Sequence, residues 1–119
     1  MPDVHDNAGV SLQRMGNREE AIARYRKALA LDPYMADARG NLAAAYCGSG
    51  KMEDGIREFR KALEINPNYA LVRAGLARAY FTRGAYREAI EQCDRAMEQG
   101  WRFEPSMLEV LNRYRSQLP

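Results

Sequence analysis

The chain has 119 residues, 46% of them hydrophobic and 29% charged, which suits one small soluble domain with a modest core. Eighteen basic and 16 acidic residues leave a net charge of +2, too weak and too mixed to predict a nucleic-acid surface. No apolar run approaches the roughly 20 residues that cross a bilayer, so no membrane insertion is expected.

The first nine residues, MPDVHDNAG, are acidic and have no apolar core segment, so they do not read as a signal peptide. A cytoplasmic location is the expectation. Cys47 and Cys93 form no CxxC pair and are expected to be reduced.

Along the chain, a first helix closes at Gly16, and REEAIARYRKALAL follows as a second helix stopped by Asp32-Pro33. DARGNLAAAYCGSG then carries Leu42 and Tyr46 at helical spacing and ends at Gly50. MEDGIREFRKALEI places Ile56, Phe59, Ala62 and Leu63 on one stripe, opens with Glu53 and Asp54, and stops at Asn66-Pro67. A fifth helix runs to Gly84, and YREAIEQCDRAME forms a sixth. There the proline stop is replaced by Gly100, followed by Trp101, the only tryptophan. PSMLEVLNRYRSQL reads as one more first helix without a second, with Pro105 in its first turn. Its polar outer stretch suits a cap over an open apolar end, and Trp101 and Phe103 are expected to pack between it and the preceding hairpin.

One register aligns these elements. Gly16, Gly50 and Gly84 are 34 residues apart, as are Pro33 and Pro67, Ile22, Ile56 and Ile90, and Ala28, Ala62 and Ala96. Ala21, Gly55 and Ala89 match and are all small, as are Gly9, Ala43 and Ala77. Small residues in register let two helix backbones approach closely while bulky neighbours fill the flanks.

Little points to catalysis, and no cofactor is expected. The single histidine, His5, sits at a helix start; there is no Cys/His cluster with metal spacing and no glycine-rich phosphate loop. Glu19-Glu20 and Glu53-Asp54 open helices, where the dipole accounts for them. Arg24, Arg26, Lys27, Arg57, Arg60 and Lys61 alternate with acids and read as a solvated, salt-bridged face.

The period, the two-helix unit and these residues resemble a tetratricopeptide repeat (TPR). The family's Leu-Gly-x-x-Tyr, then Gly, Ala, aromatic, Ala and Pro, are met in the second repeat by Leu42, Ala43, Tyr46, Gly50, Gly55, Phe59, Ala62 and Pro67. The third repeat supplies Leu76, Ala77, Tyr80, Gly84, Ala89 and Ala96. The first has Gly9, Gly16, Ala21, Tyr25, Ala28 and Pro33, but Ala8 and Leu12 replace the usual Leu and Tyr. One turn earlier the family has a large residue, where this chain has His5, Arg39 and Arg73.

The resemblance implies an all-α, right-handed superhelical stack of helical hairpins (an α-solenoid) with about seven helices. A single TPR domain would span residues 1–119, with repeats at about 2–35, 36–69 and 70–103 and a capping helix at about 105–118. Its first helices would line a concave groove. Projection onto that face gives Asp6, Asn7, Val10 and Arg14 from repeat one, Asp37, Asn41, Ala44 and Cys47 from repeat two, and Arg78 and Phe81 from repeat three. Gly40, Ala44, Gly48, Ala74 and Gly75 would leave its middle wide, and Cys93 is expected in the core.

The function expected is a non-catalytic scaffold that binds a peptide or partner helix in the groove. Relatives that clamp the acidic C-terminus of chaperones need cations and asparagines where this chain has Asp6, Val10, Asn41, Leu71 and Gly75, so that ligand is not expected. Two alternatives stay open. One is self-assembly into homo-oligomers by end-to-end stacking through the N-terminal end. The other is a fragment or regulatory domain of a larger enzyme or complex. Light scattering over a concentration series addresses the first, because a constant monomer mass excludes stacking.

Overall fold

The structure is a computed structural model and describes residues 17–117. Among these residues there are six helices and no strand: α1 (Arg18–Leu31), α2 (Ala36–Gly48), α3 (Met52–Ile65), α4 (Ala70–Arg83), α5 (Tyr86–Glu98) and α6 (Pro105–Arg115). The helix expected before Gly16, with Asp6, Asn7, Val10 and Arg14, lies outside the described residues. The chain divides into two compact units, the first ending at Pro67 and the second beginning at Asn68.

In the first unit α1 packs on α2, and α2 on α3. Helix α1 buries Ala21, Ile22, Tyr25, Ala28 and Leu29, a stripe at helical period. Its end follows from Pro33, which drives Asp32 into an extended conformation. The Asp32 carboxylate then accepts the Tyr34 N–H at 3.1 Å, turning the chain toward α2. Helix α3 ends the same way at Asn66, before Pro67. Between α2 and α3 the backbones meet at Gly55: a Cβ there would fall 2.9 Å from the Ala43 carbonyl and overlap the Cys47 sulfur.

In the second unit α4 packs on α5, and α6 on α5. Helix α4 closes on Gly84, whose φ of 84° is open to glycine at little cost. The Ala85 N–H donates back to the Tyr80 carbonyl at 2.9 Å and Gly84 to Phe81 at 3.0 Å, which satisfies the last turn. Helix α5 ends likewise on Gly100 at φ 95°, with the Trp101 N–H on the Ala96 carbonyl at 3.0 Å. Glycine geometry thus performs here the stop that proline performs after α1 and α3. Helix α6 starts with Pro105 in its first turn and buries Met107 and Leu111. It ends at Arg115 rather than near 118, where the Ser116 hydroxyl donates to the Arg113 carbonyl at 2.7 Å.

The two arginines at the family's large-residue position are both used internally. Arg39 donates to Glu58 at 2.7 Å and to the Pro33 carbonyl at 3.1 and 3.2 Å, tying α2 to α3 and to the preceding turn. Arg73, one period later, donates to Gln92 at 2.8 Å. Glu58 and Gln92 are themselves in register, so the hairpins share a bridge across 19 residues, charged in one and neutral in the other. Glu58 and Arg73 are each only 8% exposed. Burial, with Arg95 as a second cause, pushes the Arg73 guanidinium below its ordinary value.

Removing Glu58 leaves a part-buried guanidinium without its carboxylate. Glu58→Ala is expected to cost about 1–3 kcal/mol in urea unfolding. Gln92→Glu gives Arg73 the carboxylate that Arg39 has and is expected to stabilise by about 1 kcal/mol. A neutral or destabilising Gln92→Glu would show that desolvating the new charge outweighs the pairing.

Candidate partner-binding surface

On α2, Asp37, Asn41 and Ala44 follow at i, i+4 and i+7 and so share one face. Asp37 and Ala44 are exposed and Asn41 is half-buried. Cys47 departs from the expected placement. It is half-buried, and its sulfur fills the space beside Gly55 at the crossing with α3. Gly40, expected in an open trough, is buried, and the Arg18 side chain lies over Gly48.

On α4, Leu71, Gly75, Arg78 and Thr82 form the corresponding stripe, with Phe81 beside it. Leu71 is 56% exposed, whereas Ala74 is fully buried and adds nothing to an open surface. Gly40 and Ala74 are therefore each closed to solvent where the sequence reading expected open surface. Gly40 and Ala74 serve packing, because a helix with many small residues can be approached closely from more than one side.

Arg78 is not an isolated cation. Its guanidinium donates to Glu104 at 2.9 Å and lies 5.9 Å from the centre of the Trp101 ring and 5.6 Å from that of Phe103. It thus joins α4 to the Gly100–Glu104 connection. The Glu104 carboxyl is held below the usual carboxylate range, first by its own backbone N–H and then by Arg78. Phe81 packs on Tyr86 (ring centres 5.5 Å apart), and Tyr86 meets Tyr114 edge-on at 5.2 Å. Arg115 holds Asp94 with two bonds, at 2.7 and 3.0 Å, fixing α6 to α5.

Because α6 leans on α5, a hollow of about 390 Å³ opens between α6 and α4. Phe81, Met107 and Val110 supply its apolar surface, Thr82 and Ser106 its hydroxyls, and the Arg78–Glu104 pair completes the lining. Of these, Arg78, Phe81 and Thr82 project from the sequence onto the first-helix face, whereas Glu104, Ser106, Met107 and Val110 do not. Glu104 stands 26 residues from Arg78, and no local spacing links them. The one available signal was its place at the start of a proline-led helix.

Trp101 is the sole tryptophan, so its fluorescence reports this corner alone. Arg78→Ala is expected to shift that emission and to cost about 1 kcal/mol, since the ion pair is partly exposed and the ring contacts add modestly. Emission identical to wild type would mean that the rings hold without the guanidinium. Burial also raises both thiols, Cys93 to about 11, so at pH 8 Cys93 is expected to resist alkylation until the protein unfolds.

Among the described residues no helix is long and apolar enough to cross a membrane. No curated protein sequence matches the chain significantly. Among solved structures it is similar to the Sgt2 TPR domain from Aspergillus fumigatus, at 26% identity and a TM-score of 0.87, covering 98% of this chain and 80% of that one. It is similar also to the first TPR of Spaghetti (RPAP3), described as bound to the HSP90 peptide SRMEEVD, at 22% identity and a TM-score of 0.86, covering 98% and 91%. MamA matches at 23% identity and a TM-score of 0.79 over 83% of this chain, which spans only 58% of the MamA chain. These likenesses are in fold. A tetratricopeptide repeat family model matches residues 7–70, more than half of the chain, and a second matches residues 49–100. On these matches, the 34-residue period and the helical hairpins, the chain belongs to the tetratricopeptide repeat family.

Proposed function

We propose that this chain is a non-catalytic interaction module that holds a peptide or a partner helix on the faces of its first helices. The observation that carries this reading is the accessible stripe on α4, where exposed Leu71 and the hollow beside Phe81 offer apolar surface outside the core. The family fold supports it, since similar domains include two described as bound to a peptide, SRMEEVD. Asp37, Asn41 and Ala44 on α2 and Phe81 on α4 are the described contacts we assign, with Asp6, Asn7, Val10 and Arg14 from the first repeat. Cys47 borders this face. Arg78, engaged by Glu104, shapes the surface more than it offers a charge.

An acidic chaperone tail is not the ligand in this reading. Two positions where such clamps carry cations hold Leu71 and Gly75, and neither can pair with a carboxylate. Binding needs shape and apolar contact, with no covalent chemistry, and a cytoplasmic location accords with it.

A partner isolated by affinity capture and identified by mass spectrometry is to be titrated by calorimetry. Ala44→Arg blocks the α2 face and Phe81→Ala empties the α4 face; each is expected to weaken binding about tenfold. Arg60→Glu, on the exposed side of α3, is expected to leave it unchanged. Circular dichroism confirms that the variants stay folded. Wild-type affinity in both blocked variants would place the binding surface elsewhere.

A further inference from the structure

The hollow between α4 and α6 is lined by apolar side chains, two hydroxyls and one ion pair. Its volume, about 390 Å³, falls within the range of small-molecule pockets, roughly 300–1,000 Å³, and so has room for one side chain. Its apolar surface comes from Phe81, Met107 and Val110, and Val110 remains 36% exposed at the rim. The one cation of its lining, Arg78, is matched at 2.9 Å by the one anion, Glu104. Rings also lie near the guanidinium, within 5.9 Å at Trp101 and 5.6 Å at Phe103.

An incoming carboxylate would meet Arg78 and Glu104 together, so attraction to one is offset by repulsion from the other at nearly equal distance. An incoming ammonium group meets the same cancellation with signs reversed. Glu104 is an exposed carboxylate, ionised at neutral pH, and its own backbone N–H and Arg78 favour that form further, so the cancellation persists there. What remains attractive is the apolar surface, with the Thr82 and Ser106 hydroxyls also in the lining.

We propose that this hollow is a subsite for one uncharged apolar side chain of a bound peptide, and that Glu104 sets this selectivity by neutralising Arg78. The proposal rests on the interaction-module reading and names the chemistry that one part of its surface accepts. Glu104 is then a specificity-determining residue, acting through Arg78.

Side-chain-sized probes test it directly on the folded chain. N-acetyl-leucine methylamide is expected to bind with a dissociation constant on the order of 1 mM. It should shift the methyl resonance of Met107 and those of Val110 in a saturable, salt-insensitive titration. N-acetyl-glutamate methylamide should give at least fivefold weaker binding. Val110→Arg, at an exposed rim position, should abolish the leucine response while the remaining spectrum is retained. Glu104→Gln frees the Arg78 charge and should let the glutamate probe in, with an affinity that falls as salt is added. Equal or tighter binding of the glutamate probe to the wild type would overturn the proposal, as would silence of the Met107 and Val110 signals toward both probes. Neither result touches the broader reading, which stands or falls on the captured partner and its response to Ala44→Arg.

Discussion

Each hairpin depends on how closely its two helices can approach. At the α2–α3 crossing there is no room for a side chain at Gly55, because the Ala43 carbonyl and the Cys47 sulfur already occupy it. In the α4–α5 hairpin the matching Ala77 and Ala89 are both fully buried. The larger residues beside these crossings are buried: Ile56 and Phe59 in one hairpin, Leu76, Tyr80 and Ile90 in the other. The same approach sets Arg39 against Glu58 and Arg73 against Gln92. A family position that normally holds a large side chain is here filled by a planar guanidinium that both packs and bonds.

The second unit adds a constraint of its own. Helix α6 has no following partner helix among the described residues, and it is fixed to α5 by Arg115–Asp94 and by Tyr114 on Tyr86. That choice leaves the space beside α4 open. Arg78 reaches toward the connection before α6 and pairs with Glu104, so the one conspicuous cation on the α4 face is neutralised by the chain itself. The lining beside α4 is consequently apolar around a paired Arg78.

The helical boundaries were legible because each has a local cause. Pro33 and Pro67 disfavour helix at the residue before them, and Gly50, Gly84 and Gly100 take the left-handed conformation that ends a helix. The buried stripes followed from the 3.6-residue period, and the period of 34 placed equivalent residues in register. The candidate site was legible only in outline. Asp37, Asn41, Ala44, Arg78 and Phe81 could be projected onto the first helices, but Gly40 and Ala74 were read as open when they are buried. Small side chains carry no signal that distinguishes a gap from a close contact.

What the sequence determined alone was the repeat: two helices per unit, their stops and the faces they bury, all set by interactions within a few residues of each other. What tertiary structure decided was the state of each polar side chain on those faces. Arg39 and Glu58 are 19 residues apart, Arg115 and Asp94 are 21, and Arg78 and Glu104 are 26. Whether such charges meet depends on the separation and rotation of packed helices. Helical period fixes the direction of a side chain from its own axis, whereas the partner it meets is fixed by where the next axis lies.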